Sequence, residues 1–300
     1  MSGTGQQQSV TTDRVLLFTV PQRHARGRVT RLGPLVDTIL SAHAYPPLIR
    51  HLLAEALLLT TMLGSLLKDG EGQLTMQAQG NGGAINLLVC DYRGNELRGY
   101  ADFDEAAVAG LGGNASLPAL FGQGYLAITY DMASSGERYQ GIVALEEDTL
   151  SAACEEYFAR SEQVPTVLRT AIRTEGDRTL AGGLLVQHFP EGEEGRERLS
   201  VKDDWPEWEH VSILAGSIRH EELVDTDLSP EEIVWRLFHE EAEVRVIEGP
   251  ALVRGCRCTA EHYEDLLSRF SEEDRAEMRN EAGEIVVDCA FCSREFALRL

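Results

Sequence analysis

Alternating apolar and polar residues predict a series of short strands in the first two thirds of the chain. Leu74, Met76 and Ala78 alternate with polar neighbours, as in a strand with one buried face. Between Gly72 and Val143, turn-forming residues such as Asn81-Gly82-Gly83 separate such segments, which favours two hairpin-rich antiparallel sheets within this stretch. Besides the strand around Leu74–Ala78, the predicted strands are Arg14–Val20, Ile85–Cys90, Glu96–Phe103, Tyr125–Tyr130, Tyr139–Leu145 and Leu180–His188.

Helices are predicted where proline opens a stretch with helical spacing. Gly33-Pro34 opens a first helix, and Pro46-Pro47 opens a longer one that is expected to reach about Lys68. Proline is tolerated at the first helical position because the N–H it lacks has no partner there. A further helix is predicted from about Thr149 to Ser161, and the sequence after Pro165 also has helical character.

The most apolar stretch, Leu52–Leu67, is 16 residues long and carries Glu55. A helix needs about 20 apolar residues to span a bilayer. This stretch is therefore interpreted as a buried helix of a folded domain.

The composition changes in residues 191–250, which contain 18 acidic and 6 basic residues, a net charge of -12. Ser229, Pro230 and Glu232 form the signature of a capped helix N-terminus. Three tryptophans offer apolar anchors: Trp205, Trp208 and Trp235. The segment is interpreted as a helical but marginally stable linker that packs on something else, with an ordinary acidic helical subdomain as the alternative.

These patterns predict an α+β protein in three parts. Residues 1–190 form an antiparallel sheet domain with packed helices, residues 191–250 the acidic helical linker, and residues 251–300 a small C-terminal module. Because so short a module rarely has a sufficient core of its own, it should need a metal or a disulfide.

The charge balance changes the range of partners to consider. The 300 residues carry 27 basic and 49 acidic side chains, a net charge of -22. Binding to nucleic acid or to an anionic membrane surface depends on lysine and arginine, so both are disfavoured. The polar N-terminus, Met1 to Val10, lacks the apolar core of a signal peptide, and a cytoplasmic location is expected.

Four of the six cysteines lie in the C-terminal module. Cys256 and Cys258 form C-x-C, and after thirty intervening residues Cys289 and Cys292 form C-x-x-C. Two close pairs separated by a helical insert match a four-thiolate zinc site, which leaves no open position for a substrate. The site is therefore predicted to be structural or regulatory, with one zinc ion per chain.

The same four thiols could also form a redox switch. A disulfide between residues as close as Cys256 and Cys258 is strained, and strained disulfides tend to be labile or regulatory. Zinc supplies about 10–16 kcal/mol to the folding of such modules, against a net stability of about 5–15 kcal/mol for a whole domain. Oxidation with loss of zinc should therefore unfold the module and loosen the linker. The other two cysteines, Cys90 and Cys154, fall in strand and helix patterns and are predicted to be buried.

From about residue 12 to 298, the chain resembles the bacterial redox-regulated holdases of the heat-shock protein 33 family. The matching segments are Leu97–Asp102, Gly122–Thr129, Tyr139–Leu145, Glu156–Thr166, Ala181–Gln187 and Arg236–Glu241, followed by the two cysteine pairs. Two positions depart from the family pattern: Thr259 stands where serine is usual, and Ser293 stands where glycine is usual.

The resemblance implies an ATP-independent chaperone without enzymatic activity. In the reduced state, Cys256, Cys258, Cys289 and Cys292 would hold zinc and the protein would be inactive. Oxidants such as peroxide would then form disulfides Cys256–Cys258 and Cys289–Cys292 and release zinc. The linker would unfold, unfolding client proteins would bind, and the oxidised form would dimerise.

Three other functions are considered. A zinc-ribbon nucleic-acid binder conflicts with the isoelectric point near 4.7. A zinc deaminase would use His239 with Cys289 and Cys292, but Asp288 replaces the expected proline and two cysteines would be surplus. A thiol oxidoreductase would need its C-x-x-C at a helix N-terminus after a strand, which the C-terminal position does not favour.

Overall fold

The computed structural model describes residues 12–67, 72–113, 115–189 and 206–299 and confirms the α+β class. Sheet A has five strands in the order β10-β1-β2-β9-β8, all antiparallel to their neighbours. These strands are β1 (Arg14–Val20), β2 (Ala25–Leu32), β8 (Thr166–Glu175), β9 (Arg178–His188) and β10 (Arg245–Ala251).

Sheet B has six strands in the order β11-β5-β4-β3-β6-β7. Its neighbours are antiparallel except for the short parallel pair of β11 with β5. The strands are β3 (Gln73–Gln79), β4 (Ile85–Arg93), β5 (Glu96–Phe103), β6 (Tyr125–Asp131), β7 (Arg138–Ala144) and β11 (Val253–Arg254).

Helix α2 (Pro47–Gly64) is the centre of the main core, between the two sheets. It is long and apolar enough to cross a membrane, but most of its residues are buried against strands of both sheets. The remaining helices of this part lie around the sheets: α1 (Pro34–Leu40), α3 (Glu105–Ala109), α4 (Leu117–Phe121) and α5 (Leu150–Tyr157). The prediction that Leu52–Leu67 lies in a core helix is confirmed for the part up to Gly64.

Glu55 is the buried carboxylate of α2. It accepts hydrogen bonds from the Ser151 backbone N–H at the start of α5 and from the Thr170 hydroxyl on β8. Burial raises the pKa of Glu55, although these hydrogen bonds act in the opposite direction. The side chain thus joins α2, α5 and β8.

Three helices from the acidic segment cover the face of sheet A that lies opposite α2. These helices are α6 (Pro206–Gly216), α7 (His220–Leu223) and α8 (Pro230–Phe238). They form a second core with sheet A, in which the rings of Phe18 on β1 and Phe238 on α8 lie 5.4 Å apart. As the sequence predicts, Ser229 caps α8 together with Glu232.

Adjacent glycines on β9 let helices approach sheet A closely from both sides. A Cβ atom on Gly182 would lie 2.1 Å from the backbone oxygen of Leu223 in α7. On the opposite face, a Cβ atom on Gly183 would lie 2.9 Å from the end of the Met62 side chain in α2. Both faces of the strand are buried, which explains its continuous apolar run.

Arg31 on β2 fastens the loop between α7 and α8 to sheet A. It is 2% exposed, and its guanidinium donates to the carbonyl oxygens of Leu223 and Leu228, each at 2.9 Å. A second clamp lies at Glu241, which accepts from Arg23 at 2.8 Å and contacts the His210 ring at 2.9 Å. Polar contacts therefore hold the acidic segment at two places besides its apolar core.

The C-terminal module contains α9 (Ala260–Leu267), α10 (Glu272–Met278) and the hairpin of β12 (Ile285–Asp288) with β13 (Glu295–Leu298). Its core cluster consists of four buried residues: Leu267, Ile285, Phe296 and Leu298. So small a core agrees with the expectation that the module needs another source of stability.

Several sequence predictions were wrong about local structure. The residues after Pro165 form strand β8 rather than a helix, because their apolar side chains pack in sheet A. Strand β2 was not predicted at all. The end of the predicted helical linker, residues 245–250, forms together with Ala251 a strand, β10, that pairs with β1. The strands from 73 to 144 belong to one sheet and not to two.

One helix is shorter than predicted, and another has the predicted length but changes its form. Helix α2 ends at Gly64, and Lys68 lies outside the described residues. The helix predicted from about Thr149 to Ser161 is confirmed: it forms α5 as far as Tyr157 and continues as a wider π-helical turn, Phe158–Glu162.

The tryptophans predicted to anchor the linker differ in how far they are buried. Trp208 packs against the second core, whereas Trp235 is 65% exposed and does not anchor the segment. Trp205 lies outside the described residues.

The close approach of α7 to Gly182 leads to a prediction. Gly182→Ala should lower the free energy of unfolding by about 1–3 kcal/mol, because the added methyl group meets backbone rather than a flexible side chain. Urea unfolding measures the change. Gly112→Ala is the matched control, since no atom lies within 4 Å of its added Cβ, and an equal effect of the two substitutions would contradict the close packing.

Candidate metal centre

The first cysteine pair follows directly on the edge of sheet B. Strand β11 pairs with β5, and the Gly255 N–H donates to the Leu97 carbonyl at 2.9 Å. A Cβ atom on Gly255 would lie 2.4 Å from Cβ of Glu96, so glycine permits this close approach. Thr259 then caps α9 by accepting from the His262 N–H. Cys256 and Cys258 are thus held between a strand and a capped helix.

The second pair lies in the turn between β12 and β13. The Cys289 N–H donates to the Arg294 carbonyl at 3.0 Å, and the Cys292 and Ser293 N–H groups donate to the Cys289 carbonyl at 3.1 and 2.7 Å. This tight turn points both sulfur atoms toward the first pair. Cys289 is buried and Cys292 partly buried.

The structure brings together all four predicted ligands. Sγ–Sγ separations are 3.3 Å for Cys256–Cys258, 3.6 Å for Cys256–Cys289 and 3.4 Å for Cys258–Cys292. All four sulfur atoms lie within 4.8 Å of one another, and such a group could hold a metal ion.

The geometry fits zinc. With Zn–S bonds of about 2.3 Å, sulfur atoms at the corners of a tetrahedron lie about 3.8 Å apart. The measured separations are near this value. Four soft thiolates suit zinc and would complete its coordination shell, which would leave no position for a reacting water.

Electrostatics also favour a cation among these sulfur atoms. Burial acts to raise the pKa of the Cys289 thiol, but hydrogen bonds from the Phe291 N–H, Tyr263 and neighbouring thiols lower it to about 7. Burial is the first cause that raises the pKa values of Cys258 and Cys292. Neighbouring cysteines raise the pKa of Cys258 further, whereas a hydrogen bond with the Arg294 backbone partly offsets the rise for Cys292. Because thiolates this close together repel one another, all four ionise only when a cation lies between them.

The remaining predicted residues lie elsewhere. Cys90 and Cys154 are fully buried, and burial raises the pKa of each thiol. His239 stacks on Trp235 with ring centroids 4.8 Å apart and is not part of the cysteine cluster. A deaminase-like site of His239 with Cys289 and Cys292 is therefore not formed.

Sequence reasoning missed the residues that surround the cluster. The hydroxyl of Tyr263 in α9 bonds to Cys289, and His43 and Tyr100 of the N-terminal part approach the second pair. No spacing or motif connects these residues, which come from distant parts of the chain. Only the fold brings them to the site.

Comparison with known proteins agrees with this geometry. Residues 13–299 match the sequence profile of the family described as Hsp33 protein. A "33 kDa chaperonin" of Caulobacter vibrioides is 37% identical over 297 residues, with 96% of this chain and 95% of that protein covered. A "33 kDa chaperonin" of Escherichia coli is 38% identical over 275 residues, with 90% of this chain and 87% of that protein covered.

The fold has a counterpart among solved structures. The crystal structure of the 33 kDa chaperonin from Thermotoga maritima superposes with a TM-score of 0.77 at 20% identity, and the match covers 96% of this chain and 95% of that chain. The family profile spans nearly the whole sequence and includes both cysteine pairs. The chain therefore belongs to the Hsp33 protein family.

Proposed function

We propose that this protein is a redox-gated, ATP-independent holdase of the cytoplasm that binds unfolding proteins under oxidative stress. Residues 1–190 act as the core domain, 191–250 as the linker and 251–300 as the zinc-binding switch. One observation carries the proposal: along the chain, the four-sulfur cluster begins shortly after a segment that covers an apolar sheet face.

Zinc would stabilise the reduced module. Cys256, Cys258, Cys289 and Cys292 would be its ligands, and the bound ion would neutralise their thiolate charge and tie the two pairs together. The module core has four buried residues, so the roughly 10–16 kcal/mol that such a site contributes would dominate its stability.

Oxidation would remove these ligands. Each cysteine pair loses two electrons and forms one S–S bond, while one peroxide molecule takes up these electrons and two protons and leaves as two waters. Disulfides Cys256–Cys258 and Cys289–Cys292 would consume all four thiolates. The first pair has the shortest of the three measured Sγ–Sγ separations, 3.3 Å.

Loss of the module's fold would reach the linker through the chain itself. A single residue, Leu252, separates β10 at the edge of sheet A from β11 at the edge of sheet B, and Cys256 follows two residues after β11. Release of the linker would uncover apolar side chains on sheet A. These are Leu16, Phe18, Val20, Val29, Val167, Leu184 and Val186.

Such a surface suits a holdase. Large exposed apolar patches mark binding sites for other proteins, and a chain that unfolds offers apolar segments to them. Dimerisation of the oxidised form would cover part of the same surface. Binding of a client protein through buried apolar surface requires no nucleotide and no catalytic group.

The central test is an aggregation assay with thermally unfolding citrate synthase and no ATP. Reduced, zinc-loaded protein should leave aggregation unchanged, whereas peroxide-treated protein should suppress it and release about one zinc per chain, measured with a chromogenic chelator. Re-reduction with zinc present should reverse the effect. Equal suppression by the reduced and the oxidised protein would overturn the proposed gating.

The ligand set is tested by Cys256→Ser. Loss of one thiolate should weaken zinc binding by roughly a hundredfold or more and give partial holdase activity under reducing conditions. Competition with the chelator measures the affinity. Cys154→Ala is the control, because Cys154 is buried away from the cluster; unchanged zinc affinity in Cys256→Ser would refute the assignment.

Thiol reactivity separates the two classes of cysteine. After removal of zinc by a chelator, four thiols should react rapidly with a thiol reagent in native protein, and all six should react in denaturant. The reason is that Cys90 and Cys154 have no exposed surface and a raised pKa. Rapid native labelling of either one, located by peptide mapping, would contradict this distinction.

A further inference from the structure

The turn that carries the second cysteine pair also rests on the N-terminal part of the protein. The Ser293 hydroxyl donates to the Ala42 carbonyl at 2.7 Å, and the His43 Nε2 atom lies 2.7 Å from the Ala290 carbonyl oxygen, within hydrogen-bond distance. Ala42 and His43 belong to the connection between α1 and α2. This contact is separate from the linker, which covers sheet A.

Ser293 adopts a backbone conformation that favours glycine. Its φ angle is 55°, in the left-handed region, where a side chain other than glycine is strained. Its hydroxyl is nevertheless used for the bond to Ala42 and lies 3.2 Å from Nδ1 of His43. Serine at this position therefore has a strained backbone, but its side chain makes contacts with the N-terminal part that glycine could not make.

An aromatic contact supports the same surface. Phe291, between the two cysteines, lies under the guanidinium of Arg98, which is 4.1 Å from the ring centroid. The guanidinium is held in place because its Nε donates to the buried Asp91 carboxylate at 2.7 Å. Tyr100 packs edge-on against Phe291 with ring centroids 6.2 Å apart. We name the surface formed by Ala42, His43, Arg98 and Tyr100 the docking patch.

We propose that the turn from Cys289 to Ser293 and the docking patch form a second restraint on activation, independent of the linker. This inference rests on the proposed redox-gated function. The docking groups are the Ala290 carbonyl, the Phe291 ring and the Ser293 hydroxyl, all within or next to the C-x-x-C pair. Formation of the Cys289–Cys292 disulfide reshapes this turn, so the N-terminal part senses the redox state of the pair directly.

The restraint has a defined consequence. While the turn is docked, opening of the module also breaks the contacts to the docking patch, which makes opening less frequent. A substitution that weakens the contacts with the docking patch but not zinc binding therefore lowers the amount of peroxide needed for activation. This separation of the two effects makes the proposal testable.

Ser293→Gly is the informative substitution. Glycine removes the hydroxyl contacts but relieves the left-handed strain, so zinc affinity should stay equal or rise. Hydrogen exchange in a peptide covering residues 41–46 should become about fivefold faster in reduced, zinc-loaded protein, as expected for loss of a hydrogen bond. The peroxide concentration for half-maximal zinc release should fall by a similar factor. Phe291→Ala should act in the same direction.

Matched controls come from the same module. Ser268→Gly removes a hydroxyl that donates to the Asp265 carbonyl at 2.7 Å, and Phe270→Ala removes a ring that is 42% exposed. Neither residue touches the docking patch, so exchange at residues 41–46 should match that of the unaltered protein.

The outcomes are distinct. If hydrogen exchange at residues 41–46 is unchanged in both Ser293→Gly and Phe291→Ala while zinc is still bound, the proposed contact with the docking patch is refuted. Faster exchange without a lower peroxide requirement for zinc release would show a contact that does not restrain activation, which also refutes the proposal. Both readouts remain measurable if oxidised protein fails to suppress client aggregation, a result that would refute the proposed holdase function instead.

Discussion

Mutual repulsion among four closely placed thiolates is the constraint on which the C-terminal part depends. Sulfur atoms 3.3–3.6 Å apart cannot all carry charge unless a cation lies between them. The module around them has only four residues in its core cluster. A metal ion bound by the four thiolates would therefore stabilise the fold of the module, and in the proposed function any reaction that consumes the thiolates would destabilise it.

In the proposed function, the acidic segment would couple the state of the cysteine cluster to the exposure of an apolar surface. Its helices cover one face of sheet A, while α2 covers the other, and the two glycines of β9 allow the close approach on both sides. The segment is held by apolar packing, by the buried Arg31 and by the clamp at Glu241. A sheet that is apolar on both faces is stable only while both are covered, so the proposed release of the linker would leave a surface suited to unfolded chains.

Residues that connect the module with the core lie far apart in the sequence. The docking patch joins residue 43 to residue 290, and β11 joins residue 253 to residue 96. Each contact is small, and each depends on the turn or strand next to a cysteine. The cysteine cluster is thus linked mechanically to its surroundings at both pairs, through the edge of sheet B at the first and through the docking patch at the second.

The prediction of helix rather than strand after Pro165 shows where local patterns fail. Residues 166–175 carry apolar side chains that suit either structure, and only pairing with β9 and burial in sheet A decide for a strand. Strand β10 is a similar case, because its residues are mostly exposed and its partner is β1, more than two hundred residues earlier.

Features that depend on near neighbours can be predicted from the amino-acid sequence alone. These features are the spacing of the cysteine pairs, the capped start of α8 at Ser229, the strand β1 and the apolar helix α2. Capping hydrogen bonds, the spacing of ligands within a pair and side-chain periodicity all involve residues only a few positions apart. Tertiary structure decided which sulfur atoms meet, which face of sheet A the linker covers and where the turn at Phe291 and Ser293 rests. Those outcomes depend on strand pairing and packing between distant segments, which no short window of sequence contains.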